Sequence, residues 1–162
     1  MAVKKPLVLT AGRIEQLQAG DTIEAVAAAT GTPVTNKQGT SIVIGQPVYA
    51  VGPSQVGLAQ ADDHNTAHAI GLVLDTSIAN NAVGNIVTGG TLVATTTQWD
   101  AVVEGGSGGL VFGTKYFLST TTAGKLTPTP PASSSIGFSV APIGTGISTT
   151  ELRIQLEPEV EL

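Results

Sequence analysis

The chain has 162 residues, of which only 12% are charged, with a net charge of −5 and no cysteine. The missing thiols exclude disulfides, thiolate catalysis and cysteine-based metal sites, and one basic pair, Lys4-Lys5, is too little to follow a phosphate backbone, so no nucleic-acid partner is expected. No apolar run approaches the roughly 18 residues of a membrane span, which leaves no expected membrane partner, and Leu7 to Leu9 is too short for a signal-peptide core.

This length predicts one domain with room for an arm or tail, and a core of useful size. The charged share is about half the ~25% usual for soluble domains. Together with 20 glycines and abundant Thr, Val and Ile, it points to an all-β chain with many tight turns. A freely soluble monomer carries more surface charge, so part of this surface is expected to be covered by further copies or by a larger assembly.

In chain order, Leu7-Val8-Leu9 reads as a short strand and Ala11-Gly12 as a turn. Arg13 to Leu17 fits either a strand or a helical turn. Asp21 is a fair N-cap with Glu24 as its capping-box partner. Residues 21–30 therefore read either as a short helix or as an extended arm, with the arm preferred because few large side chains tie the segment to its own core. From Pro33 the pattern is β. Apolar runs at Ser41–Ile44, Gln46–Val51, Val56–Ala59, His68–Leu74, Gly84–Val87, Leu92–Ala94, Tyr116–Ser119 and Gly137–Val140 are punctuated by Gly and Pro. A small-residue turn at Thr120–Gly124 precedes a restart at Leu126. Thr95–Val103 has helical spacing of Trp99, Val102 and Val103 behind threonine caps, enough to plug Trp99 into one end of a barrel. Glu151–Leu156 alternates strictly, with Leu152, Ile154 and Leu156 facing in.

The expected fold is a small antiparallel β-barrel or sandwich with an extended N-terminal arm and at most one short helix. Residues 1–31 form the arm, 32–157 the β-rich module and 158–162 an acidic C-terminal tail. The arm's apolar residues Leu7, Val8, Leu9, Ile14, Leu17, Ile23 and Val26 are too many for an idle tail and too interrupted for a core helix. They are the expected partner-binding residues.

Candidate chemistry is thin. Asp62-Asp63-His64-Asn65-Thr66-Ala67-His68 concentrates possible ligands, but His-x3-His without a zincin glutamate is a weak metal signal. The segment reads better as a polar loop in which Asp62 or Asp63 caps a turn. Gly105-Gly106-Ser107-Gly108-Gly109 follows a helix instead of opening one and lacks a phosphate-loop lysine. It reads as a loop. Trp99 fits a core plug better than a sugar-stacking face. No enzyme activity, cofactor, metal or small-molecule substrate is expected.

The phrase Lys5-Pro6-Leu7-Val8-Leu9-Thr10-Ala11-Gly12-Arg13-Ile14-Glu15-Gln16-Leu17-Gln18-Ala19-Gly20-Asp21-Thr22 resembles the opening of many tailed-bacteriophage structural proteins. Later phrases resemble a β-rich module recurrent in phage virion proteins. They are Gly45–Tyr49, Ile70–Val73, Gly109–Ser119, Gly124–Thr127 and Ile143–Leu152, and with the opening they touch most of the chain. The family holds both capsid cement proteins and tail components, and its members often form trimers. The resemblance implies a decoration protein on the capsid surface of a virion, made in the host cytoplasm. Its partners would be the major capsid protein and its own copies, most simply as a homotrimer. One compact module behind one arm fits that address better than a long fibre does. The alternative is a tail or baseplate adaptor or short tail fibre, with receptor or glycan binding through Trp99 or Tyr116.

Overall fold

The computed structural model describes residues 7–10, 13–16, 31–132 and 136–162. In the first part of the chain, β1 (Leu7–Thr10) and β2 (Arg13–Gln16) pair antiparallel as a two-stranded sheet of their own, with Leu9 opposite Ile14. Arg13–Gln16 is therefore strand and not helical turn. The expected arm residues Leu17, Ile23 and Val26, and the helix-or-arm choice at 21–30, lie outside the described residues.

The barrel region runs β3 (Thr32–Asn36), β4 (Ile42–Val43), β5 (Pro47–Gly52), β6 (Gln55–Leu58), the helical turn α1 (His64–Ala67), β7 (Gly71–Val73), β8 (Ser77–Ile78) and β9 (Val83–Val87). The next region runs β10 (Gly90–Val93), α2 (Thr96–Val102), β11 (Lys115–Leu118), β12 (Leu126–Thr127), β13 (Ser139–Val140), β14 (Pro142–Gly146), β15 (Glu151–Ile154) and β16 (Val160–Glu161). The all-β expectation holds, and of its two forms the chain adopts the barrel. Five strands close in the order β3-β6-β5-β7-β9. Within the barrel the expected antiparallel pattern is broken once: β3 and β6 pair parallel, Thr35 opposite Gln55, and that pair closes the ring. The other barrel pairs are antiparallel.

Beside the barrel lies a five-stranded antiparallel sheet, ordered β10-β15-β14-β11-β12. Period-2 alternation joins the two. Val73 and Ile86 face the barrel interior with Val34, Ile42, Val48, Val56 and Ile78. Their chain neighbours Leu72 and Val87 face the other way, into a larger core with Leu92, Leu118, Leu126, Ile143 and Leu152 of the sheet. A strand buried on both faces needs apolar residues at consecutive positions, which is what Leu72-Val73 and Ile86-Val87 supply. Asn36, fully buried at the end of β3, stays satisfied. Its Nδ2 donates to the carbonyls of Thr40 (2.8 Å) and Ile78 (2.9 Å), and its Oδ1 accepts from Gln38 N.

The expected helix around Trp99 is present as α2. Thr95 accepts from Gln98 N at 3.2 Å, and Gln98 Oε1 accepts from Thr95 N at 2.8 Å, a complete capping box. Its place differs from expectation. Trp99 belongs to the larger core under the sheet, not to the barrel interior. The ring lies against Gly45, where φ is +83° and an added Cβ would sit 2.9 Å from the indole Cζ3. A second helix exceeds the expected one. His64–Ala67 makes a single helical turn because Asp63, extended at φ −147°, caps it by accepting from Asn65 N at 2.8 Å.

The acidic tail is likewise not free. Val160–Glu161 pairs antiparallel with Ser139–Val140, so residues 155–162 return across the fold as a strap. Lys115 Nζ holds Glu157 at 3.1 Å, and backbone bonds link Leu162 N to Phe138 O and Gly137 N to Leu162 O. Reading 158–162 by charge alone missed the short β pairing that its backbone makes.

Candidate interaction surface

Among the described residues, ligand-type side chains concentrate where α1 meets the strap. The i, i+4 spacing on one helical turn puts His64 and His68 on one face. Both turn Nδ1 toward Glu159. His68 lies 3.1 and 3.3 Å from its two carboxylate oxygens, and His64 lies 3.8 Å from one. Hydrogen bonding from its own backbone N–H is the main influence holding the Glu159 carboxyl below its usual range; burial opposes it, and the His68 hydrogen bond adds a smaller lowering effect. Asp63 is held below the usual carboxylate range by the Asn65 backbone N–H and side chain. Among the described residues, no group of three or more His, Cys, Asp or Glu side chains is placed to hold a metal ion. Asp63 does what the sequence suggested for an aspartate here, capping a turn.

The two aromatic candidates for sugar stacking offer no face. Trp99 is 0% exposed and its Nε1 donates to the Thr150 carbonyl at 2.9 Å. Tyr116 is 2% exposed, and its hydroxyl accepts from Val111 N at 2.9 Å. The glycine-rich loop aims its amides inward. Gly108 N and Gly109 N donate to the two carboxylate oxygens of Asp100, at 3.1 and 2.7 Å. A carboxylate of the chain itself occupies the place a phosphate would take.

The surface does carry apolar groups that sequence reading missed. Val93 lies opposite Glu151 on the outer side of the sheet, and Ile147 N, just past the end of β14, donates to the Glu151 carbonyl. Directly opposed residues share a face, so Val93, Glu151 and Ile147 form one row. Gly113 N donates to Gly146 O at 2.7 Å, bringing the Val111-Phe112 turn beside Ile147. Phe112 is 78% exposed and Val111, Val93 and Ile147 are exposed. Arg153 and Lys115, each opposite Thr145, flank this apolar end. The available signal was three large apolar residues in succession between Gly109 and Gly113, Leu110, Val111 and Phe112, in a segment too short for a strand to bury them all; Leu110 alone of the three is buried. A second feature is an open apolar cleft of about 260 Å³ between β4 and α2, lined by Val43, Ile44, Thr76, Thr97, Gln98 and Ala101.

Of the expected partner-binding residues, Leu7, Val8, Leu9 and Ile14 fall on the β1–β2 pair, and the rest lie outside the described residues. Among the described residues, no helix is long and apolar enough to cross a membrane. Neither a family model nor a curated protein matches the chain.

Proposed function

We propose that this chain is a bacteriophage capsid decoration protein that binds the assembled head through its N-terminal arm and stabilises it as an oligomer. The observation that carries the reading is the order of virion-protein phrases along the chain, from Lys5–Thr22 to Ile143–Leu152. Two features of the fold support it. The N-terminal β1–β2 pair forms a sheet separate from the barrel and the five-stranded sheet, as an attachment arm requires. The Phe112 end also offers an apolar surface of the kind that marks protein contacts. Binding only the assembled shell stabilises it by mass action, and joining several copies multiplies the effect. Burying each arm Leu, Ile or Val contributes about 1.5–3 kcal/mol, less the cost of ordering the arm.

The test mixes tagged protein with undecorated particles and compares the full chain with a variant lacking residues 1–20. Many copies over the head, lost with the truncation while folding and oligomerisation persist, are the expected result. Few copies confined to the tail would favour the adaptor reading. Head binding undiminished by truncation would move attachment to the β module.

A further inference from the structure

We propose that the open edge of β10 pairs antiparallel with the same edge of a second copy, joining two five-stranded sheets across a two-fold axis. This inference is independent of the proposed virion role. The sheet has two edges, β10 and β12. The β12 edge is covered by its own chain: Val103 bridges Leu126 in parallel, and Glu104 N donates to Leu126 O at 2.8 Å. The β10 edge is open. Ala94 N donates to Thr150 O, which puts positions 90, 92 and 94 in the bonded pairs with β15. The N–H and C=O of Thr91 and Val93 therefore point away from the sheet, and among the described residues no hydrogen bond reaches them. An added Cβ at Gly89 or Gly90 would meet nothing within 4 Å.

Such an edge is a template for another strand. Monomeric sheets blunt it with a charged side chain, a proline or a bulge. Residues 88–95 carry no charge and no proline, and the β10–β15 register runs without a shift. The occupant follows from there being one such edge on this sheet. A ring built by sheet-to-sheet pairing joins two different edges, and β12 is closed to it. Between copies, the open β10 edge meets only itself, which is isologous two-fold pairing. A three-fold assembly would have to use another surface.

The outer face sets the register. Thr91 stands opposite Arg153 and Val93 opposite Glu151, each pair sharing that face. Centred on Leu92, the seam exchanges bonds between Thr91 of each copy and Val93 of the other. One row across it then reads Glu151, Val93, the partner's Thr91 and the partner's Arg153, with opposite charges at its ends. Centring on Val93 would align Glu151 with the partner's Glu151, and centring on Thr91 would align Arg153 with the partner's Arg153. The edge is therefore complementary to itself in the register that also covers Val93, 59% exposed in the single chain. The seam is short, which places it in the small, transient class of interfaces below about 1,200 Å².

The test is sedimentation velocity of the full chain from about 10 µM to about 1 mM, the range in which so small an interface associates, with amide hydrogen exchange at both ends of the range. A reversible dimer is expected, with the Thr91 and Val93 amides slowed about fivefold or more at the high concentration. The Leu92 amide, already bonded to β15, should not change. Thr91→Pro deletes one outward N–H and no bond to β15, so it should abolish the dimer while Leu92 stays protected. Thr91→Lys, which charges the edge and leaves the backbone intact, should do the same. Glu151→Arg and Arg153→Glu should each weaken the dimer about twofold to fivefold, and the two together should restore it. A chain that stays monomeric over this range overturns the proposal, whether Thr91 and Val93 exchange freely or are protected by a segment of the same chain. An oligomer that both Thr91 variants leave intact overturns it as well, and a double charge variant weaker than either single one overturns the register.

Discussion

Replacing Trp99 by Phe and by Ala separates the contribution of the ring's bulk from that of its one polar atom. The ring is fully buried between α2 and the five-stranded sheet, and its N–H donates to Thr150 O. That carbonyl also accepts from Ala94 N at 3.0 Å, so deleting the indole N–H leaves it one partner. The Phe variant then loses a hydrogen bond without stranding its acceptor, about 0.5–1.5 kcal/mol. A smaller ring leaves unfilled space costing about 1 kcal/mol more. The Ala variant removes nearly all the packing and is expected to cost about 3–5 kcal/mol. Urea unfolding followed by far-UV circular dichroism ranks the three proteins, since both variants lack the chain's only tryptophan. In the wild type, indole emission should be blue-shifted and move to the red on unfolding. An Ala variant within about 0.5 kcal/mol of wild type, which is the range of surface substitutions, would refute Trp99 as the plug of the larger core. A Phe variant as unstable as the Ala variant would refute the division between bulk and hydrogen bond.

Gly109→Ala should destabilise more than Gly113→Ala. Both have positive φ, +87° and +77°, but an added Cβ at Gly109 would lie 2.2 Å from Thr149 O while Gly113 faces open space. The expected gap is about 1–3 kcal/mol by calorimetry. Asn36→Ala should cost about 1–3 kcal/mol, because it removes a fully buried amide that donates to the Thr40 and Ile78 carbonyls and accepts from Gln38 N, and thermal melting would register it. The Asp63 carboxyl is lowered on folding, so its contribution is fully present above the ordinary aspartate range and is lost as pH falls through the folded value. Asp63→Asn should flatten that part of a melting-temperature profile between pH 2 and 6; an unchanged profile would remove the capping role from the acid response.

What could be read from the sequence depended on whether a strand faced one environment or two. Glu151–Leu156 was legible because it has a wet face and a dry one, and Leu152 and Ile154 are buried while Arg153 is exposed. The capping residues around Trp99 were legible because a capping box is a local device. β14 was not. It begins at Pro142 and carries Gly144 and Gly146, residues that weaken strands on propensity, yet it sits in the sheet between β15 and β11. The glycines are there because neighbouring backbone leaves no room. A Cβ at Gly144 would lie 2.3 Å from Arg153 O, and one at Gly146 would lie 2.5 Å from Val111 O. Short-range pattern cannot anticipate an approach that depends on strands distant in sequence. The parallel β3–β6 closure has the same cause, since pairing direction is fixed by topology and leaves alternation unchanged.

The surface features divide along the same line. Asp63 as a turn cap follows from residue type and position alone, whereas the partner of His64 and His68 is Glu159, 91 residues beyond His68, and appears only when the strap folds back. Composition gave the sparse charge but not where the apolar surface would collect. In the fold, Val93, Ile147, Val111 and Phe112 meet at the end of the sheet. For the proposed attachment, the arm and the Phe112 end would be separate means of contact. An arm binds by ordering itself against a partner and loses conformational entropy in doing so, whereas a surface already fixed by β11, β14 and β15 loses little. If the arm anchors the protein, Phe112→Ser should leave binding to particles unchanged and weaken association between copies. If the preformed end anchors it, the same variant should lose the particles while its oligomer persists. A single substitution on an exposed turn, harmless to the fold at 78% exposure, therefore separates attachment from self-association without truncating the chain.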